Sequence, residues 1–347
     1  MNTVRRVTVT PTTMTDRHRQ VLNAVVHQFV LTAQPVGSLT LASNALTVSS
    51  ATVRNVMAEL ETAGLLTHSH VSSGRVPTAL GYRVFVDSIT QPHIDQKIQD
   101  QIQRDVEEIP AQSQEILSRF ASILASASRL ITVVLSLRLD RGVLERIELI
   151  PIADERLLLV VSLSEGMIKT ILIELPMRVS AAEVIGLNRL MNERLNGIKL
   201  SDLQREADVR LADTGLAHSE LVRLILNSAD SLFAESTPSI AGTGNALAQP
   251  EFRNPDKMKA VIELLEGSDI LLHLLEHDES SVIVKIGEET SNPTTRELSC
   301  VTANYCVGDL TGTIGIIGPT RMDYPRHMAL AGFAASILTK LHTHTRV

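Results

Sequence analysis

Arg54 and Asn55 stand side by side in this chain, with Ser50, Ala51 and Thr52 just before them. These residue types read the edges of bases. Arg pairs bidentately with guanine, Asn with adenine, and an Ala methyl touches the thymine methyl. Arg54 is the one long charged side chain among them. A helix that only faces water usually carries Lys and Glu there, whereas one entering a ~12 Å major groove needs short residues and a few donors. Arg17, Arg19, Arg75 and Arg83 lie in the same stretch and have the sign to hold phosphate.

The segment that must position these groups is Ser49 to Glu61. Ser49 or Ser50 can accept from the free N–H groups of a first helical turn. Val53, Val56, Met57 and Leu60 recur at i, i+3, i+4, i+7 and form one buried stripe. Ala51, Asn55, Ala58 and Thr62 then lie opposite, flanked by Thr52 and Arg54. Upstream, Asp16 to Ala33 reads as a helix with Val21, Leu22, Val25, Val26, Phe29 and Val30 inside. Pro35-Val36-Gly37 breaks it, Ser38 caps a short helix from Leu39 to Ala45, and Thr47-Val48 turns the chain. Helix, short helix, tight turn, helix is the helix-turn-helix order. Gly64 is placed to end the third helix. Leu65 to Val71 then reads as a strand, Ser72-Ser73-Gly74-Arg75 as a turn, and Val76-Pro77-Thr78 as the way out. That is a hairpin wing with a basic tip, and Thr78 caps a closing helix, Ala79 to Ile89. Residues 15–90 are therefore expected to be a winged-helix DNA-binding domain.

The runs Pro35-Val36-Gly37-Ser38, Val48 to Asn55, Gly74 to Thr78 and Gly81-Tyr82-Arg83 resemble the heat-inducible transcription repressor HrcA family of bacteria. The resemblance continues through Asn245, Pro250-Glu251-Phe252, Ile286 to Glu289 and Gly312 to Tyr324, and so covers the chain from about Thr15 onward. Thr290 departs from it, since the family usually has Asn there, and Met1 to Met14 match nothing. The resemblance implies an α+β chain. A winged helix-turn-helix is followed by a GAF-like sheet domain, interrupted by an inserted, mainly helical dimerising domain. It also implies repression of chaperone genes at an inverted-repeat operator, relief on heat shock, and a GroEL-type chaperonin that keeps the repressor active.

Composition bounds these expectations. With 347 residues, 44% of them hydrophobic, the chain can fill two or three domain cores. With no Trp and 3% aromatic, those cores must be aliphatic. No apolar run approaches the ~18 residues of a membrane helix, and Arg5-Arg6 precedes no apolar leader. Cys300 and Cys306 alone suggest a reducing cytoplasm rather than a disulfide framework. Net charge is −7, but residues 1–90 hold seven Arg against four acids, +3, which leaves −10 for the rest. Only the first part suits phosphate, and a +3 module binds a polyanion modestly, so a homodimer is expected to supply the missing contacts.

Residues 1–14 are read as a flexible arm, either a leader without structure or a minor-groove arm using Arg5 and Arg6. Residues 91–130 are connector helices, with Ile94, Ile98, Ile102 and Val106 at four-residue steps, a break at Pro110, and Ile116 to Ala127 apolar in the second. Beta-rich runs at Ile131–Leu137, Arg146–Ile152, Arg156–Leu163 and Met167–Glu174 are assigned, as residues 131–180, to the GAF-like sheet. Ser281–Ile286, Glu297–Asn304 and Gly312–Ile317 are assigned, as residues 280–347, to the same GAF-like sheet domain, with a closing helix from Arg326 to Leu341. Residues 181–279 are the inserted domain: helices at Ala181–Asn196, Leu200–Glu235, Pro255–Glu266 and Ser268–His277, and a loop at Thr237–Asn245.

No cofactor, metal or catalytic constellation is expected. Gly312, Gly315 and Gly318 do not make the dinucleotide fingerprint and are read as permitting close packing. Arg321 either binds an anion or pairs with Glu288 or Glu289 inside the fold. His68 and His70 share a wing face as exposed residues, phosphate donors or metal ligands, while His273 and His277 lack a third ligand. No nucleophile elbow is present. The alternative function is a ligand-sensing winged-helix regulator whose GAF-like domain binds a metabolite.

Overall fold

The computed structural model describes residues 14–44, 48–68, 74–109, 115–214, 220–234, 238–277, 281–290 and 292–344. The expected arm with Arg5 and Arg6, apart from Met14, lies outside these residues, as do His70 and the wing turn at Ser72-Ser73. Within them the fold is α+β and divides into two units. The first takes Met1–Val133, Ile240–Ala303 and Ile314–Ala334, and the second takes Val134–Ser239, Asn304–Thr313 and Ala335–Val347.

The first unit starts with α1 (Asp16–Thr32), α2 (Ser38–Asn44) and α3 (Ser50–Thr62). Thr15 caps α1 by accepting from His18 N–H, and the His18 ring accepts from Thr15 N–H in return. Ser49, not Ser50, caps α3, accepting from Thr52 N–H. At the other end of α3, Gly64 takes φ +73°, Gly64 N–H reaches Glu61 C=O and Leu65 N–H reaches Leu60 C=O, a Schellman closure that glycine permits. The chain then forms β1 (Leu66–His68) and β2 (Arg75–Pro77), antiparallel, with His68 facing Arg75. Thr78 caps α4 (Ala79–Asp87). Val21, Leu22, Val25, Val26, Leu41, Val53, Met57, Leu60, Leu65 and Tyr82 fill this module's core, nearly all aliphatic. Each such Val or Leu contributes roughly 1.5–3 kcal/mol on burial.

Next come α5 (Gln96–Glu107) and α6 (Ile116–Ser128), packed on each other, and β3 (Ile131–Val134), buried along its length. The second unit holds β4 (Leu144–Ala153), β5 (Arg156–Leu163) and β6 (Ile168–Glu174), then α7 (Ala181–Leu195), α8 (Leu203–Arg210) and α9 (Glu220–Ala234). Further on lie β7 (Ser239–Ala241), α10 (Thr243–Leu247), α11 (Pro255–Glu266), α12 (Ser268–Leu275), β8 (Ile283–Ile286), β9 (Leu298–Val307), β10 (Leu310–Pro319) and α13 (Tyr324–His344).

The strands of the expected sheet domain divide between two sheets. One sheet runs β7-β3-β10-β9-β8, and β4-β5-β6 form a separate three-stranded antiparallel sheet. Of the strands in residues 131–180, β3 alone joins the strands of residues 280–347. Short hairpin connections let β4, β5 and β6 satisfy one another, and their alternating pattern carries no label for which sheet they join. The expected loop at Thr237–Asn245 also contains β7 and the start of α10.

Polar groups of α7 cover the outer edge of β4. Asn188 accepts from Leu149 N–H and donates to Leu149 C=O, and Asn192 does the same with Ile147. Asn196 donates to Glu145 C=O. Four helical residues rise about 6 Å and two strand residues about 6.8 Å, so three amides at four-residue steps can follow alternate residues of a β edge.

The three glycines of β10 pack as expected. A Cβ on Gly312 would lie 2.3 Å from the Tyr305 ring, one on Gly315 2.1 Å from Leu275, and one on Gly318 2.9 Å from Leu130.

Candidate nucleic-acid interface

Helix α3 buries Val53, Val56, Met57 and Leu60. Its other side leaves Ala51, Thr52, Arg54, Asn55, Ala58, Glu59 and Thr62 exposed, with Ser50 half-buried. The residues expected to read bases are thus brought together on one open face, held from below by an aliphatic stripe. Arg17 and Arg19 are exposed on the first turn of α1. Arg17 donates to Gln20 at 3.1 Å and Arg19 pairs with Asp16 at 2.9 Å, both local surface contacts that cost little to exchange.

The two remaining expected phosphate contacts are engaged inside the protein. Arg83 Nε donates to Glu289 at 2.8 Å, and its other nitrogens reach Glu289, Val284 C=O at 2.6 Å and Asp87 at 3.2 Å. Burial works against its charge, but Glu289 and Asp87 outweigh that and hold its pKa above the usual arginine value. Arg83 therefore sits at the junction between the winged helix and the five-stranded sheet, bound to Glu289, where the sequence reading expects a phosphate contact. Arg75 donates to Glu61 and is likewise half-buried.

Two acids on α3 have histidine partners that the sequence reading missed. Glu59 meets His18 Nε2 at 2.6 Å, and Glu61 meets His68 Nδ1. His18 lies 41 residues from Glu59, so no local spacing could have paired them.

Arg321 also finds a structural partner, though neither Glu288 nor Glu289. It pairs with Glu251, donates to Gln249 at 3.3 Å, and donates to Val30 C=O at 2.7 Å. Val30 belongs to the last turn of α1, whose carbonyls have no helical donor. The loop after β10 thus supplies a hydrogen bond that α1 cannot make for itself. Nearby, Tyr82 of α4 stacks at 57° and 5.7 Å on Tyr324, and burial raises both phenol pKa values.

Among the described residues, no group of three or more His, Cys, Asp or Glu is placed to hold a metal ion. No described helix is long and apolar enough to cross a membrane. Cys300 is buried, which pushes its thiol up to about 12.

Residues 114–328 match the family described as HrcA protein C terminal domain. The chain is 36% identical over 345 residues to the heat-inducible transcription repressor HrcA of Chlorobium phaeobacteroides strain BS1, covering 94% of this chain and 97% of that one. The chain belongs to the HrcA family. A second HrcA repressor, from Caldanaerobacter subterraneus subsp. tengcongensis, is 37% identical over 317 residues, covering 90% and 92%. A protein solved as a crystal structure at 2.2 Å and titled only as hypothetical shares the fold, with a TM-score of 0.60 and 21% identity over 96% of this chain and all of that one. The family's helix-turn-helix and GAF-like architecture fits the α+β chain described above.

Proposed function

We propose that this chain represses heat-shock genes by seating α3 in the major groove of an operator, as a homodimer on an inverted repeat. The open face of α3 is the observation that carries the reading. Ser50, Ala51, Thr52, Arg54 and Asn55 read bases, and Arg17 and Arg19 hold phosphates. Repression works by occupancy, with no catalytic step, no cofactor and no membrane, in the cytoplasm. The names of the HrcA relatives, heat-inducible transcription repressors, support the heat-inducible sense of the regulation.

The outer face of the three-stranded sheet supports the homodimer. Ile150, Leu158 and Leu172 face one another across β4, β5 and β6, with Val160 and Ile168 on the same side. Ile168 is 63% exposed and Leu172 48%. An open apolar face of this kind marks an interaction site, and a second copy covering it gives the two-fold pairing an inverted repeat requires. Leu172→Glu is expected to give monomers in sedimentation and to abolish cooperative binding to the two half-sites. A dimer that persists would rule this face out.

Resemblance to the HrcA family supports a GroEL-type chaperonin as the partner that keeps the repressor active. A gel shift with the full chain and the chaperone-operon promoter of its own chromosome tests the reading. Binding that increases with added chaperonin and is lost on warming is expected; equal retention of any duplex, with or without chaperonin, would refute it.

A further inference from the structure

We infer that Glu61, His68 and Arg75 are positioning residues that fix the wing against α3, and that Arg75 does not hold phosphate. The inference rests on the DNA-reading role of α3 proposed above. The Glu61 carboxylate, on the last turn of α3, is reached from both strands of the wing. Arg75 Nε donates to Glu61 Oε2 at 2.9 Å, and a terminal Arg75 nitrogen forms an ion pair with the same oxygen at 2.9 Å. His68 Nδ1 bonds the other oxygen. His68 and Arg75 are facing partners in the β1–β2 register. One carboxylate therefore ties both strands at the turn-side end of the hairpin.

The main chain is held from the other side. Arg75 N–H donates to Val36 C=O and Val36 N–H donates to Arg75 C=O, both at 2.9 Å. Gly74 leaves no room between them, since a Cβ there would sit 2.4 Å from Val36 O. Val36 thus clamps the backbone of β2 and Glu61 clamps its side chain. The Arg75 side chain is 17% exposed and that of Glu61 26%.

Charge decides against a phosphate role. Were Arg75 to turn to a phosphate, it would leave a half-buried carboxylate beside a polyanion with His68 alone against it, which is unfavourable. Kept in place, the pair cancels the one acid that α3 points at the wing, and the wing stays at a fixed angle to the bases that α3 reads. A planar guanidinium suits this task because its fork holds direction as well as charge.

The test is fluorescence anisotropy of the full chain on the duplex it selects from a random-sequence library, between about 50 and 200 mM salt. Each phosphate contact contributes about 0.9 to the slope of log K against log salt. Arg75→Gln and Glu61→Gln are each expected to weaken binding about tenfold with the slope unchanged, and the double variant to be no weaker than either, since both break one interaction. The charge-swapped chain, Glu61→Arg with Arg75→Glu and His68→Gln, is expected to recover most of the lost affinity. Glu61→Gln keeps the side-chain shape and carries the test if Arg75→Gln melts below the binding temperature. A slope reduced by about 0.9 per site in Arg75→Gln, with Glu61→Gln binding as the parent does, would overturn the inference. So would a charge-swapped chain that melts like the parent yet binds no better than the single variants. A parent chain that selects no sequence is a different failure, that of the DNA-reading role itself.

Discussion

Arg54 and Asn55 carry the expectations that belong to single residues. Arg54→Ala should cost roughly 1–3 kcal/mol of operator binding and relax selection at one base pair, whereas Arg17→Ala should weaken all sequences alike and lower the salt slope by about one. Competition binding across single-base operator variants separates the two. His327 of α13 makes a prediction about stability. Its Nε2 lies 3.2 Å from Ser128 C=O, its Nδ1 has no partner among the described residues, and burial lowers its pKa from the usual 6.5. Asp323 and Arg326 are the charged groups around it. The unfolded chain therefore binds the proton more readily. The contribution of the neutral ring is complete above the unfolded value of 6.5 and is lost as pH falls below it toward the folded one. The melting temperature should drop from about pH 7.5 to about pH 5.5, and less steeply in His327→Gln. Equal slopes in both chains would exclude His327 as the source.

At the scale of elements, the helices were legible because their apolar spacing is strong. Val53, Val56, Met57 and Leu60 placed α3, and Ser49 and Gly64 marked its ends. The order of the strands was not legible. β3 and β4 both read as strands, yet β3 sits inside the five-stranded sheet and β4 pairs with β5 elsewhere. The choice depends on partners distant in sequence, which alternation does not encode. The edge-covering amides were also hidden, because Asn188, Asn192 and Asn196 read as an ordinary polar helix face. Asn192→Leu should leave Ile147 N–H and C=O without partners, at about 1–3 kcal/mol for each group. Denaturant unfolding would register the loss, and light scattering would register association through the uncovered edge. An unchanged midpoint would mean that water satisfies the edge equally well.

At the scale of the whole chain, four arginines expected at phosphate have divided between two tasks. Arg17 and Arg19 stay on the surface, whereas Arg75 and Arg83 bind acids within the protein. Sequence alone could count these charges but could not say which had a partner, because Glu289 lies 206 residues from Arg83. Arg83 with Glu289, and Arg321 with Glu251 and Val30, tie the winged helix to the elements around the five-stranded sheet. Arg321→Met would strand Glu251 and the Val30 carbonyl, at a cost on the order of 3 kcal/mol. It should lower both the melting temperature and the temperature at which the operator complex dissociates. A variant that melts early but releases DNA at the parent temperature would show that this junction has no part in heat release.

The most direct measurement compares the duplexes that the parent chain and an Arg54→Ala, Asn55→Ala variant select from the same random-sequence pool. The parent should enrich an inverted repeat, and the variant, folded to a similar midpoint, should lose selection at matching positions in both halves. Enrichment of the same repeat by both chains, with equal affinity, would place the reading surface somewhere other than α3.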